Sequence, residues 1–169
     1  MMDKTIYTLR YDGSFDGLLT AVFERYRRKI AVDGVLSDKA DTPMFLGEVI
    51  DIDTDEAKAR RAWNGIKRIL TTTGQKLLTQ AYLSAEPGID SALFRIIVKS
   101  VDTGRTSEND FSDPDVMAAW HAARCVGQER HRMLQFLRFQ KAADGSYFAP
   151  VEPRYDVLPM LSLIHISEP

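Results

Sequence analysis

The first part of the chain shows a strand-like pattern of hydrophobic and polar residues, and a helical pattern follows it. A short run rich in β-branched and aromatic residues, Ile6–Tyr11, predicts a strand. Asp12 and Gly13 end this run, and Ser14 is placed to cap a helix. The apolar residues of that helix fall on one face, and they are Leu18, Leu19, Val22, Phe23, Tyr26 and Ile30.

The middle of the chain is predicted to be mainly helical. Residues 33–43 are polar and contain Gly34 and Pro43, which predicts a loop, and residues 45–52 predict a second strand. Thr54 is placed to cap the helix with the clearest periodicity, in which cations lie opposite the apolar face. The predicted helices span about residues 55–71, a segment after Gly74 that ends near 83, residues 90–101 and residues 114–135. The β-branched residues within 90–101 favour a strand, but the apolar spacing there favours the helix.

The C-terminal part predicts a hairpin. Residues 136–141 and 146–151 are strand-like, and Asp144-Gly145 suits the turn between them. A further helix is expected to begin at 156–161. We therefore expect a single α+β domain over residues 1–160, mostly helical, with a small antiparallel or mixed sheet. We expect the first strand and the hairpin to share that sheet.

The last nine residues, LSLIHISEP, look like the translation of a common sequencing adapter. We therefore expect residues 161–169 to be an artefactual tail and the natural sequence to continue beyond about residue 160. His165 is left out of every functional argument for this reason.

Composition narrows the class of protein. With 44% hydrophobic and 27% charged residues in 169, the chain fits an ordinary globular domain and not a disordered one. It has no apolar segment of the ~20 residues needed to cross a bilayer, and its first residues lack a secretory signal. The single cysteine excludes an internal disulfide and fits the reducing cytoplasm. The histidines and the acidic run at 51–55 lack metal-site spacing, so we expect no metal and no cofactor.

The net charge of −2 conceals strongly charged blocks. Residues 33–56 hold eight acids and one lysine, whereas residues 57–85 hold six basic residues and no acid. Residues 102–115 sum to −4 and residues 116–141 to +4. A basic helix face can contact phosphates, or it can be a solvated face beside an acidic neighbour. Aromatic residues are not interleaved with these cations in a stacking pattern, which argues against a platform for single strands. The residues predicted to contact nucleic acid are Lys58, Arg61, Arg68, Arg124, Arg132 and Arg138.

Two stretches carry a family likeness: YDGSFDGLLTAVFERYRRK at 11–29 and QERHRMLQFLRFQKAADGSYFAPVEPRYDVLPML at 128–161. With the spacing between them, they resemble a bacterial family of unknown function that has been described, without an established mechanism, as a DNA metabolism or DNA repair protein. The resemblance implies a gene that lies beside that of a radical SAM protein and, in some members, a fusion to a domain similar to uracil-DNA glycosylase. It therefore implies DNA and a radical SAM protein as partners. The family's characteristic residues map onto Tyr11, Asp12, Gly13, Ser14, Phe15, Glu129, His131, Arg132, Phe136, Arg138 and Phe139.

The motif residues allow several interpretations. His131 can act as a general acid or base, with Glu129 or Asp12 as a partner, in a hydrolase or glycosylase-like enzyme. The structural alternative is that Glu129, His131 and Arg132 stabilise the junction between the long helix and the hairpin. The turn at residues 11–14 can bind an anion or simply cap a helix. A third hypothesis is a protein–protein adaptor that docks through the hairpin and the acidic loop at 102–115.

Overall fold

The computed structural model describes residues 5–42, 47–136, 140–148 and 154–155. Within these ranges the chain forms five α-helices, a three-stranded sheet and a two-stranded sheet. The elements are β1 Ile6–Tyr11, α1 Phe15–Arg28, β2 Ala31–Ser37, β3 Glu48–Asp51, α2 Glu56–Ile69, α3 Thr72–Leu83, α4 Ile89–Thr103, α5 Pro114–Phe136, β4 Gln140–Lys141 and β5 Tyr147–Phe148. The prediction of a mostly helical α+β fold is confirmed.

The prediction of an antiparallel or mixed sheet containing the hairpin is wrong. The strand order is β2-β1-β3, and β1 pairs in parallel with both neighbours. Among the described residues, the hairpin strands β4 and β5 pair with each other as a separate two-stranded sheet and not with β1. The physical reason is the connection between β1 and β2. It contains the helix α1, and a helical crossover joins parallel strands, whereas a tight turn joins antiparallel ones.

The segment predicted as a loop at residues 33–43 contains most of β2. Gly34 breaks the apolar pattern, but it is buried in the strand. A Cβ atom at this position would lie 2.8 Å from Ser91 Oγ of α4. Ser91 Oγ in turn accepts from the Val35 amide at 3.0 Å and donates to the Val35 carbonyl at 2.7 Å. The glycine therefore permits close approach of a helix to a strand, which is a recognised use of glycine inside a strand.

Helix ends follow the capping residues closely. Ser14 Oγ accepts from the Gly17 amide at 2.9 Å, which confirms Ser14 as the N-cap of α1. The cap of α2 is Asp55 and not Thr54, because the Asp55 carboxylate accepts from the Lys58 amide at 3.1 Å. Gly74 does not interrupt the chain as predicted. It is the third residue of α3, which Thr71 caps.

Helices α1 and α2 lie side by side and run in the same direction. Successive positions of the two helices contact each other. Thr20 Oγ1 lies 3.2 Å from both the amide and the carbonyl of Asp55, and Glu24 forms an ion pair with Lys58 one turn later. Helix α4 packs on β2 and on α1, while α5 packs on α3 and α4. The core therefore lies between the sheet and the helices, with Leu9, Leu18 and Phe94 at full burial.

Several predictions fall on residues outside the described ranges. These are residues 45–46 of the second predicted strand, residues 137–139 and 149–151 of the predicted hairpin strands, the helix at 156–161 and the tail at 161–169. None of the described helices is both long and apolar enough to cross a membrane.

Candidate nucleic-acid interface

The buried carboxylate of Glu24 binds two cations of α1 and one of α2. The Glu24 side chain is only 3% exposed, and its oxygens lie 2.6 Å from Arg27 Nη2, 2.8 Å from Arg28 Nε and 2.8 Å from Lys58 Nζ. Hydrogen bonds, chiefly from Arg27, lower the pKa of Glu24 to about 2, so the carboxylate is ionised at neutral pH. One negative charge is shared by three positive ones, which leaves the cluster with a net positive charge.

The outward side of α2 extends this positive charge. Arg60, Arg61, Lys67 and Arg68 are all exposed, and they fall within about 120° of the helix circumference. Within the part of the chain that the structure describes, none of these four side chains forms an ion pair. We call the surface formed by both groups the basic face. It comprises Arg27, Arg28, Lys58, Arg60, Arg61, Lys67 and Arg68.

The acidic block at 33–56 does not neutralise the basic face. Asp51 pairs with Arg10 at 2.6 Å on the sheet, and Asp33 accepts from the Thr8 hydroxyl at 3.2 Å. The Asp55 carboxylate caps α2, because it accepts from the Lys58 backbone amide at 3.1 Å. In residues 33–42 and 47–56, no acidic side chain forms an ion pair with a cation of the basic face. The charge segregation seen in the sequence therefore persists in the fold.

An apolar groove lies beside the basic face, between the C-terminal halves of α1 and α2. It encloses about 410 Å³ and includes Val101 of α4. The Arg61 guanidinium lies 5.3 Å from the centre of the Phe23 ring, and both residues line the groove. The lining residues are Val22, Phe23, Tyr26, Arg27, Arg61, Ala62, Gly65, Ile66, Ile69 and Val101. The fold thus places aromatic rings of α1 beside cations of α2, although they are far apart in the sequence.

The motif at residues 11–15 forms the turn from β1 into α1, and its polar groups are engaged within the fold. The Asp12 carboxylate accepts from the Ser14 amide at 2.9 Å and from the Ser14 hydroxyl at 2.6 Å. The bond from the Ser14 hydroxyl is the main reason that the pKa of Asp12 is lowered. The Tyr82 hydroxyl donates to the Gly13 carbonyl. This arrangement matches the capping alternative, and anion binding at the turn stays a prediction.

The aromatic residues Tyr11 and Phe15 pack the same turn against the neighbouring helices. The Tyr11 hydroxyl donates to Asp90 at 3.0 Å, and burial raises the pKa of Tyr11 well above its usual range. The Phe15 ring packs against Trp63 at 5.6 Å and Tyr82 at 5.2 Å between ring centres. Tyr11 and Phe15 therefore connect the turn to α2, α3 and α4.

The motif residues on α5 form a second cluster. The Glu129 side chain is 8% exposed and accepts from Arg132 Nη2 at 2.7 Å and from the Arg154 backbone amide at 2.8 Å. The bonds from Arg132 and then Arg154 lower the pKa of Glu129. His131 is exposed, and its ring lies 3.1 Å from the Gln135 side chain. This geometry fits the structural alternative, in which Glu129 connects α5 to the following segment. A catalytic role for these residues stays a prediction.

The predicted site residues do not gather at one place. Lys58, Arg61 and Arg68 share the basic face, whereas Arg124 and Arg132 lie on α5, which packs on α3 and α4. No hydrogen bond or ion pair among the described residues joins Asp12 to Glu129 or His131. Arg138 and Phe139 lie outside the described residues.

Sequence reasoning missed Glu24 and Arg27. A signal was present, because Glu24 precedes Arg27 by three residues and Arg28 by four, and these spacings place ion pairs on a helix surface. The third partner, Lys58, comes from another helix and left no local signal. Among the described residues, no three His, Cys, Asp or Glu side chains are grouped so as to hold a metal ion.

Comparison with known protein families gives a match over part of the chain. No curated protein and no solved structure matches the chain. The matching segment, residues 87–166, contains α4, α5 and the Glu129 cluster, whereas the basic face lies before it in the sequence. Over residues 87–166, the chain matches the model of a family described as a domain of unknown function, DUF4130.

Proposed function

We propose that this protein is an accessory factor of DNA repair or modification that binds DNA through its basic face and acts beside a radical SAM protein. The observation that carries the proposal is the arrangement around Glu24. A buried carboxylate fixes Arg27, Arg28 and Lys58, and the outward cations of α2 continue the same positive surface.

The physical basis is neutralisation of phosphates. Each cation that contacts a phosphate releases condensed counterions, and this sequence-independent term supplies most of the affinity of non-specific DNA binding. Arg60, Arg61 and Arg68 present guanidinium groups, which match phosphate geometry well. The overall charge of −2 does not oppose such binding, because Asp33 and Asp51 of the acidic block bond to β1 and not to the basic face.

The radical SAM partner is supported by the family resemblance of residues 11–29 and 128–161. The chain has one cysteine, so an iron–sulfur cluster held by several thiolates would have to reside in the partner. A pull-down with the radical SAM protein that the resemblance implies beside this gene tests the proposed partner. If the two proteins form no complex at low salt, either with or without DNA, the proposed radical SAM partner is wrong.

Charge reversal on α2 tests the proposed binding of DNA through the basic face. The test variant combines Arg60→Glu with Arg68→Glu, and both residues are exposed. The control combines Lys39→Glu with Lys141→Glu, two exposed cations after β2 and on β4, and changes the net charge equally. Fluorescence anisotropy with a labelled duplex at about 50 mM salt measures the affinity.

We expect the α2 variant to bind at least about tenfold more weakly than wild type, and the control variant to stay within about threefold. An equal loss in both variants would show that net charge matters and that the basic face does not. Absence of duplex binding by the wild-type protein under these conditions would overturn the proposal.

A further inference from the structure

The apolar groove has a chemistry that contact with duplex phosphates does not need. It is lined by Val22, Ile66 and Ile69 together with the rings of Phe23 and Tyr26. Cations lie at its edge, because Arg27 and Arg61 are part of both the groove and the basic face. A DNA backbone held on the basic face therefore passes the mouth of a cavity that favours flat apolar surfaces.

We infer that this groove receives an unpaired base, so that the protein prefers single-stranded or locally unpaired DNA to fully paired duplex. The inference rests on the proposed DNA binding and deepens it. Proteins that bind single strands combine a positively charged surface for the backbone with aromatic side chains against which bases stack. The fold brings both features together, since Phe23 and Tyr26 come from α1 and Arg61 comes from α2.

The size and charge of the groove suit this occupant. Its volume of about 410 Å³ lies within the range of small-ligand sites. The Arg61 guanidinium already lies over the Phe23 ring, and planar guanidinium groups stack on bases as well as on aromatic rings. Two acids that bond to lining residues of the groove are paired, because Glu24 binds three cations and Asp102 lies 3.5 Å from Arg25 Nη2 and accepts from the Tyr26 hydroxyl at 2.7 Å. The edge of the groove is therefore positive, which fits a phosphate next to the inserted base.

A paired base cannot enter this groove while it stays stacked in a duplex. Unstacking a paired base costs a few kcal/mol, and the cost is lowest for a base that is already unpaired. The structural expectation is therefore a preference that depends on the pairing of the DNA and not only on its charge.

Gly65 provides a variant that fills the groove and leaves every cation in place. It lines the groove on α2, and a Cβ atom at this position would meet nothing within 4 Å. Gly65→Leu is therefore expected to fold, because leucine also has the higher helix propensity. Gly127→Leu is the matched control, since Gly127 lies in α5 and is equally free of contacts around its Cβ.

The experiment measures the affinity of the full chain for three labelled probes. They are a fully paired duplex, the same duplex with one extra unpaired thymine, and an oligothymidine single strand. We expect the wild-type protein and Gly127→Leu to bind the two unpaired probes about tenfold more tightly than the duplex, which corresponds to about 1.4 kcal/mol. We expect Gly65→Leu to lose this preference and to bind the paired duplex within about twofold of wild type.

The outcomes separate the inference from the proposed function. If wild type binds the duplex but shows no preference for unpaired probes, the inference is wrong and the DNA-binding proposal stands. The groove would then bind a different ligand, such as an acidic amphipathic segment of another protein. If Gly65→Leu weakens all three probes equally, the groove does not read base pairing. If no probe binds, the proposed function itself fails.

Discussion

Lys58 Nζ lies 2.8 Å from Glu24 Oε1, and this ion pair joins α2 to α1 through a carboxylate that is almost completely buried. The same carboxylate accepts from Arg27 and Arg28, so a single acid sets the positions of three cations. The pair therefore has two consequences. It contributes to the packing of two parallel helices, and it fixes the edge of the basic face.

Glu24→Gln is expected to destabilise the fold. The substitution leaves Arg27, Arg28 and Lys58 without the charge that they share, and loss of one partner from a buried ion pair costs about 3 kcal/mol. Urea unfolding measures the free energy of unfolding. The control is Asp51→Asn, which removes the exposed partner of Arg10 and is expected to have a much smaller effect. Equal losses in the two variants would contradict the central role of Glu24.

The effect of Glu24 is expected to depend on pH. Its pKa is about 2 in the folded protein and is near its usual 4.5 in the unfolded chain. A lowered folded-state pKa gives stability that is fully present above the unfolded value and is lost as the pH falls toward the folded one. The difference in unfolding free energy between wild type and Glu24→Gln is therefore expected to shrink as the pH falls from about 4.5 to about 2. A constant difference across this window would show that the charge of Glu24 is not the cause.

Gly13→Ala is expected to strain the turn of the motif. Gly13 has a φ of +78°, and a Cβ atom there would lie 2.5 Å from Ser37 Oγ. Gly104 also has a positive φ, of +63°, but a Cβ atom there would meet nothing within 4 Å. We expect Gly13→Ala to cost about 1–2 kcal/mol more than Gly104→Ala in thermal or urea unfolding. Combining Gly13→Ala with Ser37→Ala is expected to recover most of that difference, and no recovery would exclude the contact with Ser37 as its cause.

Two of the motif residues on α5, Glu129 and His131, are expected to respond differently to substitution. Glu129→Gln weakens bonds to Arg132 and to the Arg154 amide, so we expect the melting temperature to fall by about 2–4 °C. His131→Ala removes an exposed ring whose described hydrogen bond is to Gln135, and we expect little change. An unchanged melting temperature for Glu129→Gln would argue against the structural role. Loss of a nucleic-acid-processing activity in a stable His131→Ala variant would support the catalytic alternative.

Local signals in the sequence predicted the helices better than the sheet. Apolar spacing and capping residues identified α1, α2, α4 and α5 nearly to their ends, because helices depend on contacts within a few residues. The parallel pairing of β1 was missed because β2 contains Asp33 and Gly34, which weaken a strand pattern. Gly34 is explained by Ser91, which is 57 residues further along the chain. Such a distant contact leaves no local signal.

The basic face was predicted in part for the same reason. The positive charge of residues 57–85 was visible in the sequence, and Lys58, Arg61 and Arg68 lie on one face as expected. The spacing of Glu24, Arg27 and Arg28 on α1 was visible, but their connection to α2 was not, since it depends on Glu24 meeting Lys58 across two helices. The groove was missed because Phe23 and Arg61 are brought together only by the packing of α1 on α2.

The salt dependence of duplex binding tests the basic face most directly. If about four of its cations contact phosphates, the logarithm of the binding constant should fall with the logarithm of salt concentration with a slope near −3.6. Arg60→Gln with Arg68→Gln removes two charges and should make the slope less steep by about 1.8. A slope near zero, or a slope that this double variant leaves unchanged, would contradict DNA binding through these residues.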